Sequence, residues 1–305
     1  MVKTVRETIK DIIRDHLKKK KGKVFGQCLT AVGWVGGTLP ELFEKDGMIE
    51  LSMADVAGGG IVVGSALMNE KPIYVIRYQG FNWYNAPMIV NYAAKSKELW
   101  NTPCPIFVRG IGMEGAIGPV AGSSHHSLYY RMPGIKIVSP MTPNEYKKVY
   151  DKFMNEQEVY YVSEHRGSFN NKKELINDTT GKKDFVIIAI SITRFEAIKA
   201  KETLEKYGYK IGIVHVLWIK PLKISKDSLK CISESKFGGI VLDDDYVDGI
   251  SNSIANKLNH LTSRKIFTMG LSNKSAGFHK HVDNLPPSSK QITNKILKIL
   301  KDDNK

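Results

Sequence analysis

Cysteine is scarce in this sequence: Cys28, Cys104 and Cys231 are the only three in 305 residues. They lie far apart, which excludes a zinc-type ligand spacing and a disulfide framework and points to reduced thiols. Long apolar runs are missing too, and no stretch approaches the length of a transmembrane helix. Acidic residues are few beside the basic ones, 31 against 45, for a formal net charge of +14. That imbalance invites a nucleic-acid reading. However, the lysines are spread along the chain, only Lys18 to Lys21 form a run, and aromatics are not interleaved with them. The basic surface favours acidic or phosphorylated partners, and neither nucleic acid nor a membrane is expected as one. No internal repeat or low-complexity tract is present.

What is there reads as a globular chain long enough for two domains. The opening MVKTVRETIKDIIRDHLKKKKGK is basic, but Glu7, Asp11 and Asp15 and the lack of an apolar core set it apart from signal and transit peptides. Ile9, Ile12, Ile13 and Leu17 instead predict an amphipathic helix, and a cytoplasmic location is expected. Up to residue 166, the runs KVFGQCL, KPIYVIRY, CPIFVRG, IKIVSP and EVYYVSE suit strands buried on both faces of a parallel sheet. Residues 167–183, GSFNNKKELINDTTGKK, are polar and turn-rich and read as a linker. From 184 to 305 the alternation resumes, with strands DFVIIAIS, KIGIVHVLW, GGIVLDDD and RKIFTMGL separated by helical stretches. The expectation is two tandem doubly wound α/β domains, 1–166 and 184–305.

Residues 53–67, MADVAGGGIVVGSAL, place one acid directly before a glycine run. Two readings are open. Asp55 caps a helix whose glycines allow close packing, or it is a cofactor-activating acid at the mouth of a cleft. The order of motifs bears on the choice. VRETIKDIIRDHL, the long block from ADVAGGG to NYAAK, PGIKIVSPMTPNEYKKVY and DFVIIAISITRFEAIKAKETLEKYGYKIGIVHVLWIKPL together resemble the beta subunit of the decarboxylase component of 2-oxoacid dehydrogenases. More broadly, they resemble the second half of transketolase-like enzymes. The resemblance runs from about residue 3 to about residue 300. It implies a pyrimidine-binding domain followed by a transketolase C-terminal-like domain, and thiamine diphosphate as cofactor.

In that family a glutamate hydrogen-bonds the aminopyrimidine ring nitrogen and so prepares the cofactor to attack a carbonyl. It stands 17 residues before the proline of the next strand; counting back from Pro72 reaches Asp55, and Gly64 falls nine residues beyond it. Aspartate is shorter by one methylene, about 1.5 Å, and about 1 Å of misplacement can cost on the order of 100-fold. Gly58, Gly59 and Gly60 permit an inward backbone that would offset this. The resemblance further implies that Tyr78 and Phe81 pack on the ring, and that His125 and His126 face the substrate and carry protons. His125 lies eight residues before Pro133, shorter than usual in the family by about one helical turn. Gln27 stands where the dehydrogenase subunits often have an acid, and two readings are open for Arg166: contact with an anionic substrate group, or an ordinary structural ion pair.

The family's diphosphate and magnesium side carries Gly-Asp-Gly followed later by Asn, and nothing here matches it; no metal ligand is expected on this chain. Asp248-Gly249 falls instead at a helix start of the C-terminal domain. The resemblance therefore implies half of a cofactor site, completed by an alpha-type partner that holds Mg2+, in an α2β2 assembly with beta–beta contact through the C-terminal domain. The reaction is then 2-oxoacid decarboxylation or two-carbon ketol transfer. Alternatives are a split transketolase-like enzyme of a specialised sugar pathway, or a non-catalytic assembly or regulatory subunit with a degraded site.

Overall fold

The computed structural model describes residues 2–30, 35–114, 121–277 and 281–302. The chain divides into two compact units at Glu174–Leu175, with Ile219–Pro221 returning to the first.

In the first unit, helix α1 (Val5–Lys18) starts at a capping box: the Glu7 amide donates to Thr4 Oγ1, and the Thr4 amide donates to Glu7 Oε2. Its apolar stripe buries Val5, Ile9, Ile13 and Leu17. Strands β1 (Val24–Gly26) and β2 (Met48–Glu50) precede helix α2 (Asp55–Leu67). Then come β3 (Ile73–Ile76) and a long broken helix made of α3 (Asn82–Met88), a π turn (Ile89–Ala93) and α4 (Ala94–Trp100). Pro87, inside α3, lacks the N–H an α-helix needs there, and the wider turn begins two residues later. Strand β4 (Phe107–Gly112), the short α5 (Ser127–Tyr130), β5 (Ile135–Val138), α6 (Pro143–Asn155) and β6 (Val159–His165) complete the series. The ladders among β1 to β6 are parallel. Every residue of β1, β3, β4 and β6 is buried, as expected of strands covered on both faces.

The second unit repeats the alternation. Strand β7 (Phe185–Ile190), helix α7 (Thr193–Lys206) and strand β8 (Ile211–Val216) come first, and β9 (Trp218–Lys220) joins the edge of the first sheet. Helix α8 (Lys226–Glu234), β10 (Gly239–Tyr246), α9 (Ile250–Thr262), β11 (Ile266–Leu271) and α10 (Ser289–Asp302) follow. Its sheet has the order β11-β10-β7-β8, all parallel. Its core joins Phe185, Ile187 and Ala189 of β7 to Ala197, Ala200 and Leu204 of α7 and to Ile292, Ile296 and Leu300 of α10. Gly249 precedes the first turn of α9, so Asp248-Gly249 does lie at a helix start.

Two parallel α/β sheets in tandem are the fold class the apolar runs predict. The first sheet has the order β2-β1-β3-β4-β6-β5-β9. Parallel sheets of this kind collect ligand-binding side chains at the carboxyl ends of their strands. Gln27 follows β1, Arg77 and Tyr78 follow β3, and Arg166 follows β6. Asp55 begins the helix after β2.

Candidate active site

The N-cap of α2 is Ala54, so Asp55 is its first helical residue, and the hydrogen bonds of its side chain go to Gln27 and Asn85 rather than to the helix's own amides. The simple capping reading is thus corrected: the carboxylate turns toward β1 and α3 instead. Gln27 Nε2 donates to Asp55 Oδ1 over 3.1 Å, and Asn85 Nδ2 donates to the same oxygen over 3.0 Å. Among the described residues nothing donates to Oδ2, which solvent reaches. The acid is therefore pinned by one oxygen and presents the other.

Each donor is itself held. Cys28, next to Gln27, takes a left-handed backbone (φ 56°). The amides of Leu29 and Thr30 beyond it donate to Glu50 Oε2 at the end of β2, over 2.9 and 3.2 Å. Asn85 donates a second time, to the Phe81 carbonyl at 3.0 Å, and its own Oδ1 accepts from the Tyr74 hydroxyl of β3. Burial, reinforced by the nearby Asp55 charge, raises the Tyr74 phenol well above its ordinary range, so it remains a donor. Close approach of α2 to α3 depends on glycine. A Cβ on Gly59 would lie 3.1 Å from Met88 Cβ and 3.6 Å from the Asn85 carbonyl oxygen.

Phe81 borders the same cavity as Gln27, Asp55 and Asn85. That cavity measures about 10 Å³, at the lower limit for one water. Anything larger meets Asp55 on its exposed side. Tyr78 is buried against Phe81, ring centres 6.2 Å apart and planes tilted by 35°. Guanidinium groups flank the pair: Arg166 lies 5.3 Å from the Tyr78 ring centre, and Arg77 lies 5.3 Å from that of Phe81. Arg77 Nη1 also donates to Cys28 Sγ at 2.8 Å. A flat ring stacked on that face of Phe81 would displace the Arg77 guanidinium.

The histidine pair forms a second cluster, joined to the first through the turn Gln79–Phe81. Buried Gln79 accepts the His125 amide at 2.7 Å and donates through Nε2 to the Gly110 carbonyl, Ser163 Oγ and the Glu164 carbonyl. Ser163 Oγ lies 3.0 Å from His126 Nδ1. The His126 ring is fully buried, whereas His125 is half-buried and meets Trp83 edge-on at 6.4 Å between centres. α5, just beyond the pair, has only four residues. Residues 115–120 of the glycine-rich approach to the histidines lie outside the described residues.

The structure thus brings Asp55, Gln27 and Phe81 into one cluster, with Tyr78 and Arg166 adjoining, and puts the histidines on a neighbouring one. Gln27, which stands where the dehydrogenase subunits often have an acid, holds Asp55. Sequence reasoning missed Asn85, Tyr74, Gln79 and Ser163. Their only sequence signal is polarity inside otherwise apolar segments.

Residues 5–172 match the family described as transketolase, pyrimidine binding domain, and residues 176–272 match transketolase, C-terminal domain. Over 201 residues the chain is 27% identical to the 2-oxoisovalerate dehydrogenase subunit beta of Bacillus subtilis (strain 168). That match covers 60% of this chain and 61% of the relative, so the chain spans about three fifths of that protein's length. It is 22% identical over 240 residues to a pyruvate dehydrogenase E1 component subunit beta of Staphylococcus epidermidis, covering 72% and 74% of the two chains. Among solved structures, a split-gene transketolase described as an inactive beta4 tetramer superposes with a TM-score of 0.76 over 99% of both chains, at 13% identity. The transketolase of Campylobacter jejuni superposes at 0.71 over 96% of this chain and 46% of its own, at 16% identity. At such identities the structural matches establish the shared fold. With the first family match spanning more than half of its length, this chain belongs to the transketolase pyrimidine-binding domain family and carries a transketolase C-terminal domain behind it.

Proposed function

We propose that this chain is a beta-type subunit that supplies the aminopyrimidine side of a thiamine diphosphate site for 2-oxoacid decarboxylation. The observation that carries the proposal is the Asp55 carboxylate, pinned through Oδ1 with Oδ2 presented beside Phe81. The donor set fits the cofactor's ring. Oδ2 of Asp55 would share a proton with the ring nitrogen, and Phe81 and Tyr78 would lie against the ring once Arg77 moves aside. When bound, thiamine diphosphate supplies a carbon nucleophile and an electron sink. This chain's residues orient that group: Asp55 by hydrogen bond, the aromatic pair by stacking, and Gln27 and Asn85 by fixing the acid. His125, half-buried and held by its backbone at Gln79, would exchange a proton with the substrate oxygen.

The diphosphate and Mg2+ would be held by an alpha-type partner, since this sequence lacks the family's Gly-Asp-Gly. The arrangement proposed for the two chains is an α2β2 assembly. The named relatives, both beta subunits of 2-oxoacid dehydrogenases, favour decarboxylation. The His-His pair favours a second reading, two-carbon ketol transfer to a sugar.

Calorimetry with thiamine diphosphate and magnesium tests the proposal on the chain alone, on its complex with the alpha-type partner, and on that complex with Asp55→Ala. The expected result is tight binding only in the complex, with turnover of a 2-oxoacid lost in the variant. Turnover that survives Asp55→Ala would overturn the role of Asp55. Absence of binding in every combination would leave a non-catalytic subunit.

A further inference from the structure

Asn85 has a fully determined amide. The Phe81 carbonyl on one side can only accept, so Nδ2 faces it and Oδ1 faces the Tyr74 hydroxyl, which burial keeps protonated and able to donate. The two Nδ2 hydrogens are both accounted for, one on the Phe81 carbonyl at 3.0 Å and one on Asp55 Oδ1 at 3.0 Å. No rotation of the side chain improves on this. The residue is 1% exposed and sits on α3, which Gly59 lets α2 approach closely.

The acid opposite it is therefore fitted to a fixed donor. A glutamate at position 55 would carry its carboxylate about 1.5 Å further out. Contact with Asn85 would then be lost, or the longer chain would have to fold back against a packed helix pair. We infer that Asn85, oriented by Tyr74, is a positioning residue that selects an aspartate at position 55 and aims Oδ2 at the ring nitrogen of the cofactor. The inference rests on the reading of Asp55 given above. It adds how the shorter acid would be held: Gln27, just after β1, and Asn85 of α3 fix Oδ1, so that Oδ2 keeps one direction.

The contact itself is readable without turnover. Affinities of the two-chain complex are measured by calorimetry for thiamine diphosphate and for its analogue with carbon in place of that ring nitrogen. The wild-type complex is expected to prefer the natural cofactor by on the order of 10- to 100-fold, the worth of one hydrogen bond to a charged group. Asn85→Ala should reduce that preference by about tenfold. Tyr74→Phe, which removes one oxygen and keeps the packing, should reduce it less but in the same direction. Asp55→Glu alone should also reduce it, whereas Asp55→Glu combined with Asn85→Ala should return it to within about threefold of wild type, the signature of coupled sites. A strong wild-type preference untouched by Asn85→Ala and Tyr74→Phe would overturn this inference and leave the proposed function standing. A double variant no better than Asp55→Glu alone would overturn the selection of acid length. No preference in the wild-type complex would mean that Asp55 does not meet the ring nitrogen, and both readings would fall.

Discussion

Acidification should weaken this fold through His16. The side chain is 1% exposed where α1 packs on α6, with Nδ1 2.9 Å from the Tyr150 hydroxyl. Burial lowers the imidazole to about 4 from 6.5; the Lys20 charge adds to this, and a hydrogen bond with the Lys23 backbone opposes it. The folded value lies below the unfolded one, so between them the unfolded chain binds more protons. The contribution to stability is complete above about pH 6.5 and is lost as the pH falls toward 4. Integrating between those two midpoints gives a loss of about 2 kcal/mol from pH 7 to pH 5. That corresponds to a fall of roughly 1 M in the urea midpoint of the unit containing α1. The control is His16→Gln, which keeps a polar group of similar length opposite Tyr150 but does not titrate. His215, also lowered by burial, to about 3, titrates in both proteins and cancels from the difference. A variant whose midpoint falls with pH as steeply as the wild type would refute the assignment of the effect to His16.

Three further outcomes are expected. Arg109→Met should destabilise the first unit by about 3–5 kcal/mol in chemical unfolding, because it strands a buried Glu164 carboxylate; Arg109→Met with Glu164→Leu should recover much of that loss. Gln79→Leu should lower turnover of the complex by on the order of 100-fold while changing cofactor affinity little, since it frees the His125 amide and leaves Asp55 alone; equal losses in both would refute the division into two clusters. Gly59→Ala should weaken cofactor binding measurably, because its Cβ, 3.1 Å from Met88 Cβ, pushes α3 and Asn85 from Asp55 by a few tenths of an ångström.

The strands that carry both sheets were legible because they are continuous apolar runs, as in FVIIAI of β7, where every residue is buried. The strands β2 and β9 were not. Each has three residues and no periodicity of its own, and each is a strand only because a neighbour's ladder accepts it. The position of Asp55 could be counted from Pro72, but its partners could not. Gln27 and Asn85 lie 28 and 30 residues away in opposite directions, and only the sheet order brings them to one oxygen. Gln79 is equally silent in VIRYQGF, since its four hydrogen bonds go to β4, β6 and the histidine loop. Polar side chains acting across a fold leave no local pattern, whereas buried strands do.

The Arg109–Glu164 pair has a consequence for how the first sheet assembles. Both side chains are buried, on adjacent parallel strands whose pairing sets Arg109 opposite Val162 and Ile111 opposite Glu164. The guanidinium meets the carboxylate twice, at 2.6 and 2.9 Å, and Tyr146 donates to it as well. If β6 slid by one residue along β4, Glu164 would turn to the opposite face of the sheet and leave a lone buried cation behind. The neighbours of these strands are valine, isoleucine and tyrosine, which pack almost as well one step out of place. In such a sheet the two charges work as a key that admits a single alignment. Because His165 and Arg166 come directly after Glu164, the same key decides which way the end of β6 faces.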